Sequence, residues 1–411
     1  MRLLSTLLTK FVRKGRLRVY DAGGMLHTFG CGEGGPDVTI RLNDRKLETR
    51  LFFNPELAAA EAYMDGTLTL ENGSGIHDFL MLFSVNRAGL YAHSSHKFLR
   101  GVWRRIRRFH QHNTIVNAAK NAQHHYDLST DLFRLCLDKD LTYSCAYFLD
   151  PVNDTLEQAQ HNKLIHATAK LNLKPGMKVA EIGSGWGSFA IHIARETGAH
   201  VTSINVAPEQ IRVARAAAVA AGVSDKVEFL ERDYRNLQGK FDRVVSVGVV
   251  EHVGVAQFDA FFGKINDLLT DDGFAFVHYI GRMSMPGTIG PFIRKYIYPG
   301  GYTPALSEVT AATERNHLWV CDIEMLRLHY AHTLRHWRER FAANRAKAAQ
   351  IYDERFCRMW EFYLSAAELE FVHGSHLVFQ FLLAKKRDAV PLTRDYMFDA
   401  ERAARRKPVS V

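Results

Sequence analysis

Long apolar runs are missing from this sequence. A membrane-spanning helix needs ~20 consecutive apolar residues, and the greasiest stretch, Val244 to Val250, is far shorter and reads as a buried strand. The chain is therefore not expected to be integral to a membrane. Cysteine is sparse: Cys31, Cys136, Cys145, Cys321 and Cys357 are odd in number, widely spread and without a C-x-x-C pair. Neither a disulfide framework nor a zinc cluster is indicated, no metal is expected, and a reducing cytoplasm suits such a chain. Low-complexity tracts and a solenoid period are also lacking. The short Leu-rich start is followed at once by Lys10, Arg13 and Lys14 with no small-residue cleavage site, so no secretion signal is expected.

What is present suffices for a full core: 411 residues, 47% hydrophobic, consistent with one large domain and a smaller one. The formal net charge of +9 favours an anionic partner, whether a phospholipid surface, a nucleic acid or an acidic substrate. Residues 1 to about 110 differ in texture from the rest, with a basic start, a Gly-rich patch at Gly30 to Gly35, and arginines at 104, 105, 107 and 108. They read as a smaller N-terminal domain and linker, with 111–390 as the main domain and 391–411 as a basic C-terminal tail. Leu3, Leu4, Leu7, Leu8, Phe11 and Val12 recur at helical spacing among basic residues. Such a helix either lies on anionic lipid headgroups or packs its stripe on the domain behind it.

From Lys178 the pattern alternates strand-like and helix-like runs. Strands are expected at Lys178 to Ile182, His200 to Val206, Lys226 to Leu230, Arg243 to Val249 and Phe274 to Tyr279. Helices are expected around Phe189 to Glu196, Pro208 to Ala221 and Gln257 to Leu269, and two further strands at His317 to Met325 and His376 to Lys385. Repeated β-α units build an α/β, doubly wound parallel sheet with ligand sites at the carboxyl ends of its strands. Between Arg282 and Asn316, Pro286, Pro291, Pro299 and Pro304 break this rhythm, and an aromatic, cationic helical stretch follows Tyr330. An insertion there is either a lid over a substrate or a plain connection.

Glu181-Ile182-Gly183-Ser184-Gly185-Trp186-Gly187 sits where the first of these strands ends and a helix begins. Glycines let a backbone turn sharply and approach a ligand closely. The G-x-G-x-G spacing with a leading carboxylate differs from the G-x-G-x-x-G of a pyrophosphate turn, which disfavours an NAD-binding reading. Asp233-Tyr234, after the third strand, supplies a carboxylate and a ring able to hold an adenine. This order resembles class I S-adenosylmethionine (SAM)-dependent methyltransferases, in which the leading acid would face the ammonium group of the sulfonium amino acid. Many of those enzymes end strand two with an acid; here the position is Asn205, and Gln210 is the candidate for the ribose.

Leu141-Thr142-Tyr143-Ser144-Cys145-Ala146-Tyr147-Phe148, His125-Tyr126-Asp127-Leu128-Ser129, Glu251-His252-Val253-Gly254 and His278-Tyr279-Ile280-Gly281 together resemble the cyclopropane fatty acid synthases and mycolic acid cyclopropane synthases, over about Ala119 to Lys385. Ala62-Tyr63-Met64-Asp65-Gly66 is similar to the N-terminal domain of the phospholipid-acting branch. The resemblance implies a class I SAM-methyltransferase sheet with a lid insertion. It implies attack of a cis alkene in a membrane phospholipid on the SAM methyl carbon, and a carbocation that loses a methyl proton as the ring closes. An apolar tunnel protects such a cation from water. The resemblance further implies a bicarbonate base cradled by Cys145, Glu251, His278, Tyr330 and the Ile280 backbone. SAM contacts would come from Tyr143, Ser144, Glu181, Gly183, Gly185, Gly187, Gln210, Asp233 and Tyr234. It also implies a homodimer working peripherally at the anionic inner face of the cell membrane. In the segment Tyr363-Leu364-Ser365-Ala366-Ala367, alanine stands where some members carry a cysteine, so no covalent role is expected there, and Cys357 lies too early to substitute.

Other readings stay open on the residues alone. The same cation can end as a methyl-branched or methylated unsaturated chain. A nucleic-acid methyltransferase would usually show an Asn/Asp-Pro-Pro-aromatic motif after the fourth strand, where this chain reads Gly248-Val249-Val250-Glu251-His252, so no nucleic-acid partner is expected. A non-catalytic SAM-binding module would be expected to have lost part of the acid, histidine and tyrosine set, which is complete here.

Overall fold

Residues 1–87 and 128–406 are described in the computed structural model; the arginines at 104–108 and His125-Tyr126-Asp127 lie outside them. The chain divides into two compact units, whose described residues are 1–87, 288–299 and 334–375 in one, and 128–287, 300–333 and 376–406 in the other.

In the first unit, β1 (Arg16–Tyr20), β2 (Leu26–Phe29), β3 (Asp37–Leu42) and β4 (Leu68–Glu71) form a sheet in the order β2-β1-β3-β4. Its first helix, Arg2–Phe11, matches the expected amphipathic segment. Leu4, Leu8, Phe11 and Val12 are buried in one cluster with Leu17, Val19, Ile40, Phe79 and Leu82. The apolar stripe is thus spent on the unit's own core, which is the packing alternative of the two readings. Ala62-Tyr63-Met64-Asp65-Gly66 ends the helix Pro55–Met64, where Pro55 fits the first turn because its missing N–H has no intrahelical partner to lose. Tyr63 Oη donates to Glu361 at 3.1 Å and Asp65 pairs with Arg355 at 2.8 Å. Both partners stand on the helix Glu354–His373, which packs on Pro55–Met64 and Ile76–Val85.

In the second unit, β5 (Lys178–Ile182), β6 (His200–Asn205), β7 (Val227–Glu231), β8 (Phe241–Val247), β9 (Leu269–Arg282), β10 (Trp319–Met325) and β11 (His376–Ala384) form a seven-stranded sheet in the order β10-β11-β9-β8-β5-β6-β7. Strands β5 to β9 run parallel, and β11 pairs antiparallel with both β9 and β10. The doubly wound α/β class is as expected. Continuous apolar runs suit strands covered on both faces. One face buries Phe258, Phe261, Phe262 and Ile265, and the other Phe189, Ile193, Ile211 and Phe229. The strand order reverses between β5 and β8, which opens a crevice at their carboxyl ends.

Part of the segment between Arg282 and Asn316 belongs to the core: Val309 and Ala312 of the helix Leu306–Arg315 are fully buried against one face of the sheet. Within the segment read as a basic tail, residues 395–406 form a helix that packs on Leu156–Lys170 and buries Met397 and Glu401. No helix among the described residues is long and apolar enough to cross a membrane.

The burial of the first helix sets a test. Leu8 is 7% exposed and Leu3 61% exposed. Leu8→Ala should cost the N-terminal unit about 2–3 kcal/mol, while Leu3→Ala should stay within about 0.5 kcal/mol. Thermal or urea unfolding of the two variants measures this, and equal small effects would return the stripe to the surface.

Candidate active site

The crevice is lined by Tyr143, Ser144, Glu181, Gly183, Gly185, Gln210, Asp233 and Tyr234. These are the expected cofactor residues except Gly187. Glycine is required at Gly187 for another reason: φ is +91°, and a Cβ would lie 2.8 Å from both Ala214 Cβ and Phe229 Cζ. That position seats the helix Ser188–Thr197 on the sheet. At Gly185, with φ +50°, a Cβ would meet nothing within 4 Å, so the backbone here borders open space. A side chain added at Gly183 would overlap Val249.

Several polar groups in this crevice wait for a partner or have an altered charge. Gln210 Nε2 is buried without a hydrogen-bond partner, while its Oε1 accepts from Asn205 Nδ2 at 2.8 Å. Burial pushes the Glu181 carboxyl up to about 8, against the lowering effect of the hydrogen bond donated by Ser203 and of the Lys163 charge. Burial also works against Asp233, but the bonds from Arg235, at 2.7 and 2.8 Å, outweigh it and hold that carboxyl below its usual range. Arg235 also stacks its guanidinium 5.2 Å from the Tyr234 ring centre.

The residues expected to carry the chemistry do not line this crevice. Glu251 stands on the short helix Val250–Val253 that follows β8, and its carboxyl accepts from the Ile280 backbone N–H of β9. Its other oxygen, Oε2, is buried with no partner. Burial pushes this carboxyl up to about 7. His278 lies two residues before Ile280 and so on the same face of β9. Burial, reinforced by the charges of Lys163, Lys170 and His166, holds its imidazole neutral well below the usual range. Cys145 is buried, its Sγ donates to the Ala146 carbonyl at 3.3 Å, and burial raises the thiol far above its ordinary value. It is a neutral donor, not a thiolate. The Ala146 N–H donates to Thr333 Oγ1 at 3.0 Å, which ties the Cys145 segment to the helix His329–Ala343 three residues from the buried Tyr330.

The structure thus joins Glu251 to Ile280 directly, places His278 two residues from Ile280 on the same strand, and links Cys145 to the helix of Tyr330 through Thr333. Lys163 was not legible from the sequence. Its Nζ donates to Ser144 Oγ at 3.3 Å, and burial lowers it to about 8 against the pull of Asp138, Cys145 and Glu181. Gln160, one turn earlier, donates to the Thr142 and Ser144 carbonyls at 3.3 and 2.9 Å and holds the loop in place. No spacing rule marks either residue. Among the described residues, no group of His, Cys, Asp and Glu is arranged to hold a metal ion.

Residues 113–381 match the family model described as mycolic acid cyclopropane synthetase. The chain is 34% identical over 395 residues to a probable fatty acid methyltransferase of Pseudomonas putida, covering 93% of this chain and 96% of the relative. It is 35% identical to the cyclopropane-fatty-acyl-phospholipid synthase of Escherichia coli strain K12, covering 81% of this chain and 84% of the relative. Among solved structures it is similar to the cyclopropane synthase MmaA2 of Mycobacterium tuberculosis, at TM-score 0.62 and 30% identity over 65% of this chain and 98% of the other. It is similar too to the mycolic acid cyclopropane synthase CmaA1 complexed with SAH and CTAB, at TM-score 0.61 and 30% identity over 64% of this chain and 97% of the other.

The enclosed Glu251 carboxyl makes stability depend on pH. Because its folded value, about 7, lies above the 4.5 of a free glutamate, its contribution is whole below pH 4.5 and is lost as pH rises through 7. Glutamine at this position cannot ionise. The stability of Glu251→Gln relative to the native chain should therefore rise between pH 5 and pH 9 by on the order of 3 kcal/mol. A pH series of thermal melts reads this difference, and a flat series would mean that the carboxyl is solvated.

Proposed function

The chain belongs to the mycolic acid cyclopropane synthetase family, and on that premise we propose that it transfers a methylene group from SAM to the cis double bond of an unsaturated phospholipid acyl chain, forming a cyclopropane ring. The observation that carries the substrate class is coverage. The similarity to the phospholipid synthase spans 81% of this chain, whereas a cyclopropane mycolic acid synthase of M. tuberculosis spans 64%. No membrane-crossing helix is present among the described residues, and the reading makes the enzyme peripheral at the inner face of the cell membrane, as a homodimer.

The crevice fits SAM on three counts: the open space at Gly185, the unpartnered Gln210 amide, and the Glu181 carboxyl. When bound, SAM supplies an electrophilic methyl carbon on a sulfonium. Glu181 would face the ammonium group, whose charge favours the ionised carboxylate that burial otherwise opposes. Gln210 would donate to the ribose, and Tyr234 would lie against the adenine. Tyr143 and Ser144, on the irregular segment before the helix Leu156–Lys170, would close the site from outside the sheet.

The orphaned Glu251 Oε2 fits a ligand bearing an O–H, as bicarbonate does, and bicarbonate would supply the base for the departing proton. Cys145, His278 and Tyr330 would hold it as donors and Glu251 as acceptor. Their protonation states suit this work: a neutral imidazole and an undissociated thiol both donate. The Ile280 N–H already serves Glu251, and so it acts on the ligand by aligning that carboxylate.

The similarity to the P. putida relative, described as a probable fatty acid methyltransferase, over 93% of this chain favours a second reading. The same cation would then lose a different proton and give a methyl-branched or methylated unsaturated chain.

Incubation of the protein with SAM and vesicles of unsaturated phospholipid, followed by mass and alkene analysis of the fatty acids, separates these products. A gain of one CH₂ with loss of the alkene is expected; the same gain with the alkene retained would establish the second reading, and no gain would remove both. Glu251→Gln should lower turnover by at least about 100-fold with SAM affinity kept. Gly185→Val should abolish SAM binding measured by calorimetry, and retained affinity would mean that the loop serves another purpose.

A further inference from the structure

His278 is held from behind by a chain of buried hydrogen bonds. Gln380 on β11 is its direct cross-strand partner in the β9–β11 register. Gln380 Nε2 lies 3.2 Å from His278 Nδ1, and Gln380 Oε1 accepts from Lys170 Nζ at 2.6 Å. Lys170 also donates to Glu324 on β10. Glu324 is bonded in turn to His166 Nε2 at 2.8 Å, and His166 Nδ1 to Glu401 of the last helix at 2.6 Å. His278, Gln380, Lys170 and His166 are all buried.

Each link has a forced direction. An ammonium can only donate, so the Gln380 carbonyl must face Lys170 and the NH₂ must face His278. An amide NH₂ can only donate, so Nδ1 of His278 must be the acceptor. A neutral imidazole that accepts at Nδ1 carries its proton on Nε2. We propose that Gln380 is the positioning residue that sets the Nε2–H tautomer of His278, with Lys170 in turn fixing the orientation of the Gln380 amide.

The assignment rests on the reading of His278 as a donor in the proposed reaction. A donor role requires the proton on the nitrogen that can reach a ligand, and a ring free to choose would spend part of its time with the proton on the wrong side. Cross-strand pairing makes the choice part of the sheet, so that it holds before any ligand arrives. Lys170 is itself fixed by Glu324, and Glu324 by His166, so the amide has a rigid backing.

Nitrogen-15 NMR of the full-length protein labelled at the histidine imidazoles tests this, with His278→Asn identifying the signal. The native chain should show His278 as the neutral Nε2–H tautomer. Gln380→Glu replaces the donor with an acceptor and should move the proton to Nδ1 or give the doubly protonated ring. Gln380→Met, which offers neither, should show both neutral tautomers should the glutamate variant fail to fold. Both variants should keep SAM affinity and lose on the order of 100-fold in turnover. An Nδ1–H tautomer in the native chain, or an Nε2–H signal unchanged in the variants, would overturn the proposal. A native Nε2–H tautomer that switches in Gln380→Glu, in a protein that makes no lipid product, upholds the tautomer assignment and removes only the reaction it was meant to serve.

Discussion

Burial of ionisable groups in the crevice at the carboxyl ends of β5 and β8, and around Glu251 and His278 beside it, raises the free energy of their charged forms, and much of the polar architecture answers that cost. At low effective dielectric an unpaired ion is expensive, and a paired one interacts strongly. The molecule uses three responses. Asp233 keeps its charge because Arg235 grips both oxygens. His278 and Cys145 stay neutral. Glu251 and Glu181 are left near the balance point, at about 7 and about 8, where a ligand can decide their charge. The proposed reaction through a carbocation would need the same dryness, since water would capture the cation. On that proposal, the protection of the reaction and the altered protonation states would be one property of the site.

A buried acceptor without a partner costs roughly 1–3 kcal/mol. Glu251 Oε2 carries that cost while its other oxygen is satisfied by Ile280. A carboxyl serving stability alone would have both oxygens satisfied, so the unpartnered one at the mouth of β8 argues for use. The same holds for Gln210 Nε2 on the other side of the strand order reversal. On the proposed function, these two orphaned groups would be completed by two ligands of different chemistry.

The sheet was legible because its strands are short apolar runs set off by glycine and charged residues, and the periodicity survives without tertiary information. The glycine loop was legible for a related reason, since positive φ at Gly183, Gly185 and Gly187 demands that residue type. Lys163, Gln380 and Lys170 were hidden. Gln380 reaches His278 across 102 residues of sequence and Lys170 across 210, and nothing local distinguishes them from surface residues. The destination of the first helix was hidden as well, because a stripe of leucines has the same spacing whether it meets lipid or a sheet. The segments 288–299 and 334–375 gave no sequence sign that they group with residues 1–87. Their ties, such as Lys295 to Glu61 at 2.6 Å, join residues 234 positions apart.

The motif Ala62-Tyr63-Met64-Asp65-Gly66 shows how a family signature and a function can part. It pointed to the phospholipid-acting branch, yet its Tyr63 and Asp65 are engaged with Glu361 and Arg355 of the helix Glu354–His373. A Cβ at Gly66, where φ is +73°, would lie 2.7 Å from Arg358 on the same helix. The motif therefore packs the helix Pro55–Met64 onto that helix within one unit, and the Tyr63 and Asp65 side chains are already engaged there. Its presence reports an architecture in which the N-terminal sheet and the later helices are built together. On the proposed function, lipid discrimination would then lie in groups that this packing leaves uncommitted, since a side chain bound to a partner in its own unit has little left to offer a substrate.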